Sequence, residues 1–409
     1  MYETRTTCRS CESGELVSIL SLGKTPLADG LLTREQLAQP EAKFPLNVAV
    51  CADCSLMQIR ETVSPELLYC RDYPYYSSFT PELLEHSRRN ALRLMESRRL
   101  TGESQVVEVA SNDGYLLRNF VEHGIPVLGI DPAEGPARAA TEAGVNTLCT
   151  FFSRNLALQL REDGVQADVI IANNVLAHVP DQNNLVQGIR ELLKEDGVAV
   201  IEAPYARDLI DRCEFDTIYH EHHCYFTVTS ARRLFDRNGL FLNHVEHLPI
   251  HGGSLRLYAG RRREPSKALL SYLREEAEVG LDRLDYYQDF AVHVENVRTS
   301  LLAMLRKLKA GGHRIAAYGA AAKGSTLLNT TGIGTDLIDF VADRNVHKQG
   351  RYMPGVHIPI CEPERLRAEM PDYVLLLAWN LKDEIMRQQA EYQRAGGKFI
   401  VPIPSPTVL

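Results

Sequence analysis

The run Val106-Val107-Glu108-Val109-Ala110-Ser111-Asn112-Asp113-Gly114-Tyr115-Leu116-Leu117 decides the fold. Its β-branched start reads as a buried strand, its polar centre as a tight turn, and its apolar end as the first turn of a helix. A second apolar run, Val127-Leu128-Gly129-Ile130, ends in Asp131-Pro132 and so sets an acid at the carboxyl end of the next strand. Ligands of open parallel α/β sheets bind at that end. The two runs predict a Rossmann-like unit in which the turn and Asp131 hold a nucleoside, with Asp131 taking both ribose hydroxyls. The bland alternative is a turn glycine and a strand-ending acid with no ligand.

The turn lacks the GxGxxG spacing that brings a pyrophosphate against a helix N-terminus. A cofactor without a pyrophosphate fits better, and S-adenosylmethionine is the obvious one. Glu108, Asn112, Asp113 and the Gly114 backbone then face its amino-acid end, and Asp131 its ribose. A third buried strand, beginning at Ala167-Asp168-Val169-Ile170-Ile171, ends in Asn173-Asn174, where side chains line the methionine portion. His178 follows within a helical turn, as a site residue or a satisfied structural histidine. Gly197 to Pro204 supplies a fourth strand, and repeated βα units imply a parallel sheet covered on both faces.

At 409 residues the chain exceeds one ordinary core, and two or three domains are expected. Hydrophobic content of 44% and charged content of 24% are ordinary globular values. A formal charge of -8 argues against general electrostatic binding to nucleic acid. No apolar run has membrane-spanning length and the N-terminus has no signal-peptide core, so a cytoplasmic protein is expected.

Four of the nine cysteines form two CxxC knuckles, Cys8-Arg9-Ser10-Cys11 and Cys51-Ala52-Asp53-Cys54. Together they make a four-thiolate set suited to a closed structural zinc site. A redox CxxC would need a thioredoxin-like context that is absent. The long interval, with Pro26, Pro40 and Pro45, predicts an extended, loop-rich lobe. It has few basic or aromatic residues, which weighs against a nucleic-acid reader.

Tyr69, Tyr73, Tyr75 and Tyr76 cluster around Pro74 as loop packing or as one wall of a substrate pocket. Helical spacing follows from Pro81 to Leu100. The octet Tyr219-His220-Glu221-His222-His223-Cys224-Tyr225-Phe226 is the most unusual segment. It is not HExxH, because the second histidine would fall at position 224. A copper or iron site and a buried polar segment are alternatives to a proton-transfer cluster of Tyr219, Glu221 and His222. His251-Gly252-Gly253-Ser254-Leu255-Arg256-Leu257 reads as a flexible turn and a basic strand, and Ser266 to Lys309 as one long amphipathic connector. The final third repeats strand, small-residue turn, helix and strand from Arg314 to Asp343. It predicts a second Rossmann-like unit in which Lys323, Lys348 and Arg351 clamp a diphosphate, or are simply solvated charges.

In order, CxxC…CxxC, VEVASNDGYLL, YHEHHCYF, HGGSLR, YGAAAKGSTLLN and KQGRYMPG resemble the sugar C-methyltransferases of deoxysugar biosynthesis across essentially the whole chain. The resemblance implies a zinc-binding lobe (1–75), a class I S-adenosylmethionine methyltransferase core (76–265) and a C-terminal Rossmann-like domain for a sugar nucleotide (266–409). It implies methylation at C3 of a dTDP- or GDP-linked 4-keto-6-deoxyhexose. Tyr219, Glu221 and His222 would carry the chemistry, with His178 and a tyrosine such as Tyr75 or Tyr76 in the pocket. A carbonyl at C4 acidifies the C3 hydrogen, so His222 would remove it while Tyr219 or His178 stabilises the enolate. A nucleotide-dependent oxidoreductase is the competing reading, but neither glycine turn has the dinucleotide fingerprint. A complete three-part site in one chain favours a monomer.

Overall fold

A computed structural model describes residues 2–69, 76–79 and 81–409. At its centre is a seven-stranded sheet ordered Phe241–Leu248, Ser254–Gly260, Leu193–Pro204, Ala167–Asn173, Val106–Val109, Val127–Asp131, Thr147–Cys149. The last five of these strands, from Leu193–Pro204 to Thr147–Cys149, run parallel, as the apolar runs of the central ones require. The expectation of a wholly parallel sheet is corrected at the other edge. Ser254–Gly260 runs antiparallel to both its neighbours, because it returns directly from Phe241–Leu248 as a hairpin. The basic residue of that strand, Arg256, is buried and paired with Glu202 at 2.6 Å rather than offered to a ligand.

The lobe between the CxxC knuckles is more regular than its prolines suggested. Leu16–Thr25 and Phe44–Cys51 are long antiparallel strands, joined by Met57–Ile59. Their apolar positions alternate, and Leu20, Leu22, Leu46, Val48 and Val50 all enter the core. The fourth strand of this sheet comes from far along the chain. Cys224–Tyr225, inside the histidine-rich octet, pairs with Gln58 and Met57.

The expected single connector is two helices. Lys267–Val279 ends at left-handed Gly280 (φ 84°), a residue without a Cβ being the one that takes this conformation cheaply. It packs Leu269 into the central domain's core. Phe290–Ala310 instead buries Phe290, Val294, Val297, Leu301 and Leu305 in a core shared by the N-terminal sheet and the C-terminal domain. That last domain has five parallel strands ordered Ile360–Cys361, Val341–Ala342, Ile315–Tyr318, Tyr373–Leu376, Lys398–Val401, with Thr407–Val408 antiparallel at the edge. It is the second Rossmann-like unit. Among the described residues no helix is long and apolar enough to cross a membrane.

The N-terminal sheet thus packs between the other two bodies, and the octet is its edge. Metal removal should therefore loosen more than the knuckles. On chelation of zinc, hydrogen exchange should accelerate together at 57–59 and 219–226. Acceleration confined to residues 8–54 would show that the lobe's sheet stands without its metal.

Candidate active site

The four sulfurs of Cys8, Cys11, Cys51 and Cys54 lie within 4.8 Å of one another. The closest pairs, Cys8 with Cys54 and Cys11 with Cys51, are 3.5 Å apart, too far for disulfides. A zinc tetrahedron with bonds of ~2.3 Å has edges of about 3.8 Å, so the set fits the ion. Gln58 Nε2 and Ser10 N donate to Cys8 Sγ at 3.3 and 3.4 Å and so fix the thiolate from outside. Arg9, buried between the knuckles, donates to the carbonyls of Ile59, Glu61 and Pro180. The zinc knuckle is thereby tied to the loop that follows His178.

The octet is held from three sides. The Ile59 amide donates to the His223 carbonyl at 3.0 Å, and the His223 amide donates to Ala177 at 2.7 Å. His220 Nε2 donates to the Pro45 carbonyl at 2.9 Å. From the C-terminal domain, Thr326 Oγ1 donates to the Ile218 carbonyl at 3.1 Å, and Trp379 Nε1 to Asp216 at 2.7 Å.

This scaffold fixes one imidazole. His222 Nδ1 donates to the Thr217 carbonyl at 2.8 Å, which leaves Nε2 as the basic atom. Tyr219 Oη lies 2.9 Å from that Nε2 and donates to it. His178 stands edge-on to His222, ring centroids 4.6 Å apart. Burial alone pushes the His178 imidazolium down to about 4, so it is neutral near pH 7 and suited to donate a hydrogen bond. Burial, and then the nearby Asp29 carboxyl, hold Glu221 well above the usual carboxylate range.

Tyr219, Glu221, His222 and His178 all line one cavity of about 760 Å³ between the central and C-terminal domains. Asn112, Asp131, Asn173, Asn174, Tyr76, Lys323 and Lys348 line it too. Glu108, Asp113, Gly114 and Arg351 are not among the lining residues. Gly114 (φ 75°) turns the chain where a Cβ would strike Val145, which makes it a packing glycine. Asp113 Oδ2 accepts from Ser78 N at 3.2 Å, tying the turn to the segment after the tyrosine cluster. Tyr76 stacks on His347 of the C-terminal domain, centroids 5.1 Å apart. Tyr75 lies outside the described residues.

At the end of the cavity formed by the first turn and the second strand, the backbone is strained and several acceptors meet. Ala110 (φ 57°) and Asn112 (φ 48°) hold the turn in left-handed backbone, a strain that clusters at ligand sites. Asp131 accepts from the Asn112 and Ala133 amides at 2.8 and 2.9 Å, one on each oxygen, which aims both oxygens while leaving each a further lone pair. Burial raises it to about 6 against those two bonds. Among the described residues no hydrogen-bond partner reaches Asn173 Oδ1 or either oxygen of Glu108. Asn173 Oδ1 lines the cavity and suits the ammonium of an amino-acid moiety, and Phe151 and Phe152 offer ring surface for a base. Glu108 lies buried away from the cavity, its carboxyl held well above the usual range by burial and then by Asp131. Neither phenylalanine stood out in the sequence, where they follow the short strand Thr147–Cys149 without a motif.

Lys323 sits differently from a solvated clamp. It is enclosed, its ammonium 4.5 Å from the Trp379 ring centroid, with no hydrogen-bond partner among the described residues. Burial lowers its proton affinity, and the carboxyl groups of Asp216 and Glu214 oppose that. Burial in turn raises Glu214 to about 8 and Asp216 to about 6.

Three family descriptions match the chain in sequence: "Putative zinc binding domain" at 8–69, "Methyltransferase domain" at 75–245 and "C-methyltransferase C-terminal domain" at 249–404. The chain is 37% identical to the C-methyltransferase NovU of Streptomyces niveus, over 98% of its own length and 96% of that protein's. It is 31% identical to a ubiquinone biosynthesis O-methyltransferase of Pasteurella multocida, over 27% of this chain and 51% of that one. Among solved structures, magnesium protoporphyrin IX methyltransferase from Synechocystis PCC 6803 aligns at 16% identity and a TM-score of 0.34, over 44% of this chain and 79% of that one. With its cysteine tetrad, methyltransferase core and matching C-terminal domain, the chain belongs to the S-adenosylmethionine-dependent C-methyltransferases.

Proposed function

We propose that the substrate is a nucleotide-linked 4-keto-6-deoxyhexose, dTDP- or GDP-linked, and that the methyl group goes to C3. The observation that carries this reading is the Tyr219–His222 pair on the cavity wall. Its imidazole is fixed by Thr217, and its basic Nε2 is joined to the phenol at 2.9 Å. Carbon needs such a base, because a C–H bond must be broken before the carbon can attack. A neighbouring carbonyl is what makes that C–H acidic enough.

When bound, S-adenosylmethionine supplies an electrophilic methyl on a sulfonium. His222 Nε2 takes the C3 proton, directly once Tyr219 has turned to the sugar, or through the phenol. The neutral His178 donates to the C4 oxygen as negative charge builds there. Asp131 orients the ribose of the cofactor, and Asn173 and Asn174 its amino-acid end, with Glu108, Asn112, Asp113 and Gly114 shaping the turn. Lys323 and the uncapped first turn of Ala322–Thr331 face the diphosphate, where the backbone amides of a helix start favour an anion. Asp216 and Glu214 help keep the lysine charged. Lys348 belongs to the sugar rather than to the phosphates, since its Nζ already donates to Ala320 O at 2.7 Å. Arg351 acts at most from outside the cavity, and Tyr76 closes its rim. The chain works as a monomer in the cytoplasm in this reading.

The base is tested by isotope exchange. With S-adenosylhomocysteine in the cofactor site, the wild type should wash solvent deuterium into C3 of a dTDP- or GDP-linked 4-keto sugar. His222→Asn should stop that exchange and lower turnover by roughly 10²–10⁴-fold, while Tyr219→Phe keeps part of it. Exchange that persists in His222→Asn and vanishes in Tyr219→Phe would move the base to the phenol.

Asp131→Ala should weaken S-adenosylmethionine binding by roughly 1.5–3 kcal/mol for each charge-assisted hydrogen bond lost, with sugar-nucleotide affinity little changed. Calorimetry showing unaltered cofactor affinity would place the ribose elsewhere.

His178 adds a pH signature. Its proton affinity is about 4 folded, against about 6.5 in an unfolded chain, so the unfolded state binds more protons between those values. Stability should therefore fall as the pH drops through that window and be indifferent to this group above it. Cavity water moderates the penalty, leaving a loss of about 1–3 kcal/mol. In His178→Asn, denaturant melts at pH 7 and pH 5 should differ less than in the wild type; an equal difference would remove this group from the acid response.

A further inference from the structure

The zinc lobe reaches the cavity through a side chain that no motif announces. Asp29 lies on the turn after strand Leu16–Thr25, half-buried, and lines the same cavity as Glu221 and Lys348. The turn is stitched to the C-terminal domain on both sides. Ser325 Oγ donates to the Ala28 carbonyl at 2.7 Å, and Leu32 and Tyr352 exchange backbone hydrogen bonds of 3.0 and 2.9 Å. Within the turn, the Leu31 amide donates to the Asp29 carbonyl at 2.8 Å. The backbone that carries the side chain is thus held to the C-terminal domain on both sides of residue 29.

The carboxyl groups of Asp29 and Glu221 face the same corner of the cavity, near enough for each to shift the protonation of the other. Two buried carboxyl groups so placed disfavour a charge on both, which holds a proton on one of them. The other charged groups facing the pair come from the C-terminal domain. Lys348 attracts Asp29, and Asp343 repels it while accepting from the Ala320 and Asn345 amides at 2.6 and 2.7 Å. Burial is the largest influence on both carboxyls and raises both. One lysine beside three acids does not neutralise them all, so a shared proton settles the balance.

We propose that Asp29 is a positioning residue for Glu221: it grips one oxygen of that carboxyl group and turns the rest of it toward a hydroxyl or amino substituent of the sugar ring. This rests on the sugar reading above. The zinc lobe then contributes to substrate recognition, and the shared proton lets the pair both give and receive a hydrogen bond.

The test compares Asp29→Asn with the wild type, both zinc-loaded, in steady-state kinetics against a 4-keto-6-deoxyhexose nucleotide across pH. Asparagine removes the like charge and donates to Glu221, so Glu221 should lose its proton at lower pH. The alkaline limb of kcat/KM should move to lower pH, while the acidic limb stays. KM for the sugar nucleotide should rise about tenfold, the scale of a charge-assisted hydrogen bond, with S-adenosylmethionine affinity unchanged. In a Glu221→Gln background the same substitution should add less than about twofold, since the group it acts through is gone. Asp29→Glu, which keeps the carboxyl, should recover part of the lost KM. An Asp29→Asn enzyme with wild-type KM and both limbs in place would overturn the proposal, as would a full effect persisting in Glu221→Gln. If instead the wild type neither methylates nor exchanges any 4-keto sugar nucleotide, the sugar reading itself has failed.

Discussion

The structure depends on the pairing of Cys224–Tyr225 with Met57–Gln58. A two-residue strand from the histidine-rich octet completes a sheet that begins at the other end of the chain. Its backbone polar groups are shared between that sheet and the loop after the third central strand, through His223. The side chains of the octet can then do chemistry because their backbone is already spoken for on both sides. Zinc stands behind this arrangement, since Gln58 both pairs with Cys224 and donates to Cys8 Sγ. The cysteine tetrad is thereby tied, through one side chain, to the strand that carries the octet.

A second constraint is electrostatic. Glu108, Asp216, Glu221 and Glu202 are all buried, and each avoids an uncompensated charge differently. Glu202 has Arg256 and His86 against it and keeps its charge easily. Asp216 holds the indole of Trp379 and feels Lys323. Glu221 leans on Asp29, and Glu108 stands with neither oxygen engaged among the described residues. Burying an acid without a partner is costly. Of the three not locked in an arginine pair, Glu221 lines the cavity itself.

Local pattern announced the elements and part of the site. The buried runs at Val106, Val127 and Ala167 are strands because their apolar residues have nowhere else to go. Asp131 and Asn173 reach the cavity because strand ends in such sheets do. The cysteine tetrad follows from its spacing. What the pattern could not show is where distant segments meet. The antiparallel edge at Ser254–Gly260, the regular sheet hidden between prolines and the break at Gly280 depend on packing partners. Lys323 looks like a free cation in sequence, and only the fold encloses it against Trp379. Asp29 has no local mark at all, because its neighbours are Glu221 and Lys348. Arg351 and Gly114 carried plausible motifs and are not among the residues lining the cavity, Gly114 being packed against Val145.

The shared edge also orders events at synthesis. Met57–Ile59 is translated some two-fifths of the way before its partner Cys224–Tyr225 exists. Through that interval a hydrophobic strand margin has open amides and carbonyls, which is the usual template for pairing with another chain. The nascent N-terminal lobe can bind its metal early, but it cannot seal itself. Its last strand arrives with the histidine-rich octet, so the lobe is closed only once that segment has been made.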